Sequence, residues 1–409
     1  MMAERGRFRA LAPLRVRDFA FFWSGRSASS AGDGIFTVAL ALLALQLDPN
    51  PVGLAYVLAA RLVPSALLAL VGGAVVDRVS RRSALLAADI VLGVVVAAVA
   101  ILLATRTLGF SELLVMAAVF GAADAFSGPA GSAYLPELLP SPLLVAGNAL
   151  NSTSDQLAQG FLGPAVGGAA VAAIGLAWAF GLDAASFAIS AGCLFAMHAR
   201  SRPPPSNRSF LSDVRQGVDY IRSRRWLWLL LVAAGVANFA GLAPLGVLIP
   251  LLVRQVLHGS PVGLGLVFAA GGVAGVVASL LAGHLGPPRR LMLTMWSAYG
   301  AAAIAVAAMA FSPDLVTVAV LEALSVGLIV YADVLYFSMM QQMVQVDLLG
   351  RVSSVASLMV TVGMPAGLLV AGVGASIWGT RIALLLSGLM SAVCALVVLV
   401  PGARPGEAR

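Results

Sequence analysis

Gly73-Ala-Val-Val-Asp77-Arg78-Val-Ser-Arg81-Arg82 stands between two long apolar runs, one closing at Val76 and the next continuing from Ser83 to Thr105. About 20 apolar residues in helical form cross the ~30 Å hydrocarbon layer of a bilayer, so the segment reads as a short turn between two membrane spans. Each residue type has a physical use there. Gly73 permits close helix contact, Asp77 can accept hydrogen bonds from an opposing helix N-terminus, and the arginines hold the turn on one side of the membrane.

The rest of the chain has the same character. It is 60% hydrophobic and 11% charged, against roughly 25% charged in soluble domains, with a mean hydropathy of +0.97. Counts of 43 Gly and 21 Pro would damage long soluble helices but suit a membrane bundle, where neighbouring helices satisfy freed backbone groups. Apolar runs between turn and charge clusters predict spans near 18–47, 52–76, 83–105, 112–135, 144–173, 176–198, 227–252, 262–284, 291–311, 315–340, 351–376 and 380–401. The expected fold class is therefore all-α, a membrane protein of about twelve transmembrane helices in two six-helix halves. The expected divisions are a segment 1–17, a bundle 18–198, a linker 199–226, a second bundle 227–401 and a tail 402–409.

The net charge of +7 is explained by topology rather than by nucleic acid. An even number of spans puts both termini on one side, and that side collects Arg5, Arg7, Arg9, Arg15, Arg17, the turn arginines, the linker arginines, Arg289, Arg290 and Arg351. The other side has Arg106, Arg254 and Arg381, so both termini are expected in the cytoplasm of a multi-pass cell (inner) membrane protein. No cleavable signal pattern precedes the first span, which agrees with a cytosolic N-terminus. Within the linker, Phe210, Leu211, Val214, Val218 and Ile221 recur at helical spacing after a Pro-rich stretch, predicting an amphipathic surface helix that straps the halves together.

A shift of 210 residues superposes Val52-Gly53-Leu54 on Val262-Gly263-Leu264, Gly73 on Gly283, Glu112 on Glu322 and Glu137-Leu138-Leu139 on Asp347-Leu348-Leu349. Asp124 falls within one residue of Asp333. Several matches at one offset indicate a duplicated unit with parallel repeats, whose functional site is expected between the halves near the bilayer midplane.

The turn at Gly73, Asp77, Arg78, Arg81 and Arg82 resembles the signature loop of the major facilitator superfamily, with Ser80 where that loop has a second glycine. The resemblance implies a cytoplasmic latch in the outward-open state. The second half keeps only Gly283 and Arg289-Arg290, with Pro287 at the Asp position. In the fifth span, Gly163-Pro164-Ala-Val-Gly167-Gly168 offers a smooth packing face and a bend, and resembles the helix 5 motif of exporters and antiporters in that superfamily. LRVRDFAFFWSGRSASSAGDGIF in the first span and DAFSGPAGSAYLPELLPSPLLVAGNALNSTSDQLAQGFLGP across the fourth and fifth look like the transmembrane secretion effector branch, as do PLLVRQVLHGS and LLGRVSSV more weakly. That branch implies proton-driven export of small, often amphipathic molecules.

An ionisable group at mid-bilayer costs about 2.5 to 3.5 kcal/mol on insertion scales, so each one is a functional candidate. Counted from Asp18, Arg26 lies about 12 Å and Asp33 about 22 Å into the first span. Arg26, Ser29, Ser30, Asp33 and Thr37 recur at three or four and form one polar stripe expected to face the cavity. Asp33 is either a proton site or half of a static pair with Arg26. Asp124 and Asp333 are further cavity acids, with Arg61 and Asn238 as polar contacts. Glu322 is either a surface residue or, if its helix begins at Leu315, a cavity acid. Asp89 is expected to pair with the turn arginines, and Asp155 and Asp183 have no assigned role.

Proton entry down ~100 mV and one pH unit releases about 2.3 and about 1.4 kcal/mol, enough for a few hundredfold accumulation of a neutral substrate. No GxxxxGK[ST] string is present, so no nucleotide site is implied. Cys193 and Cys394 sit in apolar runs as packing residues, and no metal-ligand spacing or cofactor is implied. An enzyme is disfavoured because His198, His258 and His284 lie near helix ends without converging. The expected partners are a small-molecule substrate, protons and the lipid bilayer, with no nucleic acid, acting on a monomer. An importer of the same fold is the alternative within transport, and a non-transporting receptor or scaffold the alternative outside it.

Overall fold

The computed structural model describes residues 11–76, 80–198, 210–285 and 288–396, and among them the chain is helical with no strand. The first helices are α1 (Arg17–Leu47), α2 (Pro51–Val76), α3 (Arg81–Ala104) and α4 (Phe110–Leu138). In α5, Leu144–Asp155 runs through a π-helical stretch, Gln156–Leu162, into Gly163–Ile174, and α6 is Leu176–Ala196. The linker contributes α7 (Phe210–Ser223). In α8, Arg225–Ala237 and Ala243–Leu251 are each followed by a π-helical stretch, Asn238–Leu242 and Leu252–Val256. After it come α9 (Pro261–Leu285), α10 (Leu291–Met309), α11 (Leu315–Met343), α12 (Val346–Thr361), α13 (Met364–Trp378) and α14 (Thr380–Ala395).

Among the described residues, 11 segments are long and apolar enough to cross a membrane, and α14 is a shorter apolar helix. The expected continuation of α14 to residue 401 falls outside the described residues. Large apolar side chains such as Phe195, Val316, Phe311 and Leu280 are at least 70% exposed. In water such a surface would drive aggregation, whereas hydrocarbon solvates it, so the chain is a multi-pass membrane protein.

The expected span 351–376 is found as one membrane-crossing stretch, Val355–Trp378, whose helical ladder is interrupted at Val362-Gly363 between α12 and α13. Pro365 at the start of α13 has no amide proton to continue the ladder, and Gly363 has little helix propensity to oppose the break.

The described residues group into two compact units, those of 11–47 with 60–198, and those of 48–59 with 210–396. The first turns of α2 thus pack with the second unit, a division finer than one at the linker alone. Ala55 and the Pro51 carbonyl lie where a side chain on Gly372 of α13 would stand, and Gln255 Nε2 donates to the Pro49 carbonyl at 2.6 Å.

The first unit is built on α1, which packs along α6 and across α5. A methyl at Gly163 would stand 2.6 Å from the Ala31 carbonyl and from Gly34 Cα, and one at Gly167 would stand 2.9 Å from Ile35 Cα. The glycines of α5 therefore let its backbone touch that of α1, where dispersion rather than hydrophobic exclusion holds membrane helices together. The π-helical stretch ends as the Gly163 amide bonds the Ala158 carbonyl, five residues back, just ahead of Pro164. The same order recurs in α8, where the Ala243 amide bonds the Asn238 carbonyl just ahead of Pro244. Proline cannot return a hydrogen bond to the preceding turn, and one widened turn absorbs the mismatch.

Phe36, Phe120, Phe180 and Phe187 fill the middle of this unit, with Phe36 and Phe120 stacked at 4.4 Å between centroids. The second unit packs α11 against α9 and α10, and α13 against α8. Ile221, Val218 and Tyr220 of α7 join its core around Trp226, Met295 and Val352, so the described part of the amphipathic helix docks on this unit. Each unit closes its last helix pair with a single glycine at positive φ, Gly175 (φ 86°) before α6 and Gly379 (φ 84°) before α14. Only glycine takes this conformation without strain, so both one-residue turns depend on it.

Substituting Gly163→Ala should destabilise the protein by about 1 to 3 kcal/mol through overpacking against α1. Gly181→Ala on α6, where the new methyl meets nothing within 4 Å, should leave stability unchanged or slightly raised. Melting temperatures of the two detergent-purified variants against wild type check this, and equal melting would contradict the backbone contact.

Candidate functional site

Each unit holds a cavity within the membrane-spanning region, one of about 300 Å³ in the first unit and one of about 320 Å³ in the second. The two differ sharply in lining. The first is polar: Arg26, Ser29, Ser30 and Asp33 come from α1, Arg61 and Ser65 from α2, Asp89 from α3, Asp124 and Ser127 from α4, and Asp155 and Gln159 from α5.

Arg26, Ser29, Ser30 and Asp33 share one face of α1 and line this cavity inside the first unit. Thr37 does not follow. It is exposed, and its hydroxyl donates at 2.8 Å to the Asp33 carbonyl of its own helix. Ser30 donates to Asp155 Oδ1 at 2.6 Å, tying α1 to α5 just before the π-helical stretch. The cavity acid on α5 is therefore Asp155, a residue whose role the linear pattern left open.

Arg26 and Asp33 make no ion pair within 4.0 Å among the described residues. The charged pair of the cavity is instead Arg61 Nη2 with Asp124 Oδ2 at 4.0 Å, between α2 and α4. The Arg61 guanidinium lies 5.1 Å from the Phe36 centroid and 4.7 Å from that of Phe120. The ring faces offer it negative potential and keep it beside the core. A close crossing helps, because a side chain on Gly121 of α4 would strike the Arg61 carbonyl. Asp124 remains 42% exposed to the cavity, so this is a weak, water-screened pair that can part and re-form.

Asp89 corrects its expected place. It is 7% exposed and faces the cavity near Ser190, with Oδ2 lacking a hydrogen-bond partner. Of the turn arginines that are described, Arg81 pairs with Glu137, and Arg82 donates to the Leu194 and Phe195 carbonyls at 2.8 and 3.0 Å. Arg82 thereby answers free carbonyls at the C-terminal end of α6. Asp77 and Arg78 lie outside the described residues, as do the surroundings of Gly73 at the end of α2. Depth alone would have flagged Asp89, about 12 Å along α3 from its start.

The second cavity is apolar and aromatic, with Ala234, Leu242 and Leu245 of α8, Trp296 and Tyr299 of α10, and Tyr336 and Phe337 of α11 in its wall. Asn238 lines it at the head of a π-helical stretch, donating at 3.0 Å to the Ala234 carbonyl. Asp333 also lines it, and Tyr299 Oη donates to Asp333 Oδ1 at 2.6 Å. Asp89 and Tyr299 stand at the 210-residue offset noted above, so each unit presents a cavity residue at that position of its repeat.

Glu322 is neither a surface residue nor a cavity acid. Its helix does begin at Leu315, where Asp314 Oδ1 accepts the Thr317 amide at 2.8 Å and the Thr317 hydroxyl at 2.9 Å; these bonds hold the exposed Asp314 carboxyl below the usual range. Glu322 then falls two turns in, only 5% exposed, against Gly271 of α9. In the first unit Asp183 is also sealed in a seam, fully buried against Gly32 of α1 and bonded by the Ser186 hydroxyl. Two acids thus lie in helix seams, and the acids named above lie in the cavities.

On a background without Cys193 and Cys394, Ser29→Cys and Ser65→Cys should react with a water-soluble maleimide, and Ser186→Cys in the α1–α6 seam should not. Labelling rates in native membranes check this assignment of cavity and seam, and labelling of all three alike would contradict it.

Residues 8–408 match the family model described as transmembrane secretion effector. The multidrug efflux pump Tap of Mycobacterium tuberculosis is 29% identical over 358 residues, covering 84% of each chain. Macrolide efflux protein A of Streptococcus pyogenes is 22% identical over 388 residues, covering 93% of this chain and 94% of that protein. Among solved structures, a bacterial homologue of the lysosomal transporter Spinster superposes with a TM-score of 0.70 at 13% identity, covering 94% of this chain and 96% of that one. A bacterial homologue of the iron transporter ferroportin superposes with a TM-score of 0.69 at 17% identity, covering 93% and 98%. Both structural likenesses are to transporters and establish the fold.

Proposed function

We propose, because the chain belongs to the transmembrane secretion effector family of major facilitator transporters, that it exports a hydrophobic or amphipathic small molecule in exchange for protons. Membership makes it a transporter rather than an enzyme. The relatives named as a multidrug efflux pump and a macrolide efflux protein support export as the direction and drug-like molecules as cargo.

One observation carries the proton half of this reading. The first cavity gathers Asp33, Asp89, Asp124 and Asp155 with Arg26 and Arg61, a set of ionisable groups far costlier in a membrane than packing would justify. A carboxyl in such a site exchanges a proton when water reaches it and is driven neutral when water leaves. Asp33 has the position for that exchange. It is half-buried on α1, has no ion pair within 4.0 Å among the described residues, and faces Arg61, Asp124, Arg26 and Asp89.

The cycle is alternating access. With the cavity open to the outside, Asp33 takes a proton; with the cavity open to the cytoplasm, it releases the proton and substrate loads from the cell interior. Arg61, held between Asp124 and two ring faces by weak contacts, supplies the positive charge that favours release. The turn at Gly73, Asp77, Arg78, Arg81 and Arg82 serves as the cytoplasmic latch. Gly163, Pro164, Gly167 and Gly168 hold α5 against α1 so that the acids of both helices stay in one cavity. The protein works as a monomer in the cell membrane with both termini in the cytoplasm, the orientation favoured by its arginine distribution.

The test is efflux of a preloaded amphipathic fluorescent dye from cells expressing the wild type or Asp33→Asn, with and without a protonophore. Wild type should speed efflux, the protonophore should abolish the gain, and Asp33→Asn should cut it roughly tenfold or more, as expected when a membrane carboxylate that must ionise no longer can. Protonophore-insensitive efflux would count against proton coupling, and uptake driven by the same gradient would replace export with import.

A further inference from the structure

We infer that the corner between α7 and α8 binds an anionic phospholipid, with Arg222, Arg224 and Arg225 holding the headgroup phosphate and the outer face of α8 lying along an acyl chain.

The sequence places the charge. Residues 222–228 read Arg-Ser-Arg-Arg-Trp-Leu-Trp, and the apolar span Arg225–Val256 begins inside that string. The first turn of a span lies at the headgroup layer, where tryptophan is favoured and arginine meets lipid phosphate. All three arginines are exposed, and among the described residues none has an acid within 4.0 Å. The exposed Asp219 of α7 lies instead 3.9 Å from Arg215 Nε, and the first turn of α8 contains no acid. The positive charge of this corner thus has no protein counter-charge among the described residues.

Geometry adds the apolar half. Arg225, Trp228, Val232 and Val236 recur at three and four along α8, and all are exposed. Their face is turned away from Ala234, Ala237 and Asn238, the residues with which α8 lines the second cavity. From Trp228 to Val236 the strip runs about 12 Å along the helix axis at ~1.5 Å per residue. At its head, the Arg224 guanidinium lies 4.6 Å from the Tyr220 ring centroid, and Tyr220 packs beside Ile221 on the core of the second unit. One guanidinium is therefore held in place before any ligand arrives.

Charge above an apolar strip matches a phospholipid end to end, whereas a soluble anion would use the arginines alone. The planar guanidinium fork suits two oxygens of one phosphate. A zwitterionic headgroup brings its own cation to the same place and gains less, so the preference is for an anionic lipid.

The experiment is binding of dioleoyl phosphatidylglycerol to the purified full-length chain in detergent, read by native mass spectrometry over a range of lipid concentrations. Dioleoyl phosphatidylcholine, with identical chains, is the zwitterionic comparison, and glycerol 3-phosphate is the soluble competitor. Wild type should bind the phosphatidylglycerol roughly tenfold or more tightly than the phosphatidylcholine, and excess glycerol 3-phosphate should not displace it. Arg224→Gln with Arg225→Gln should lose roughly fivefold or more of that affinity. Arg289→Gln with Arg290→Gln, which removes two exposed arginines elsewhere in the same unit, should lose less than roughly twofold. Equal wild-type affinity for both lipids, displacement by glycerol 3-phosphate, equal losses in the two double variants, or no loss in the first would each overturn the inference. If Arg224→Gln with Arg225→Gln is not monodisperse, Arg222→Gln takes its place with an expected loss of roughly threefold, and an unchanged affinity overturns the inference. Binding is read without transport, so its outcome is independent of the efflux reading.

Discussion

A charged side chain inside a bilayer has to be answered from within the protein, because hydrocarbon offers it neither water nor a counter-ion. The answers in this chain are of two kinds. Asp183 and Glu322 are sealed into helix seams opposite glycines, where packing leaves no room for water. Asp33, Asp89, Asp124 and Asp155 open onto a shared cavity with two arginines, and Asp333 opens onto another with none. The chemistry available to each acid follows from which of these places it occupies.

The glycines decide that placement. With backbone touching backbone at Gly34 and Gly163, α1 and α5 lie close enough for Ser30 to reach Asp155. Any side chain in that contact would part the helices and open the polar stripe of α1 to lipid. The widened π-helical turn ahead of Pro164 is part of the same device, since it lets α5 continue past a residue that cannot donate, and α8 repeats the arrangement ahead of Pro244. Both units thus pair a proline-adjusted helix with a cavity, and the two cavities then diverge. The first carries charge and serine, whereas the second carries rings and a single carboxylate. In the proposed cycle the first handles the proton.

How much of this was legible in the linear chain varies with the range of the interaction. Arg26, Ser29, Ser30 and Asp33 share one face because helical geometry leaves no alternative, and their facing a cavity follows from the cost of facing lipid. Gly163, Pro164, Gly167 and Gly168 were readable as a packing face for the same local reason. Asp89 and Glu322 were not readable in that way. Both lie at mid-helix depth, and only the neighbouring helix decides that one meets open space and the other meets Gly271. The Arg61 and Asp124 pair joins two helices across 63 positions of sequence, and no spacing rule reaches that far.

The sequence by itself determined that this chain is a helical membrane protein, about how many spans it has and where most of them begin, because hydrocarbon thickness and backbone satisfaction admit so few solutions. It also determined the family, through a turn, a glycine face and the strings around them. The tertiary structure alone decided which acids share a cavity, which arginine pairs with Asp124, that the ladder of one span is interrupted at Gly363, and that aromatic rings share a cavity with Asp333. Those outcomes depend on which helix lies beside which, and in a chain so uniformly apolar almost any face could have met any other until backbone contact selected one.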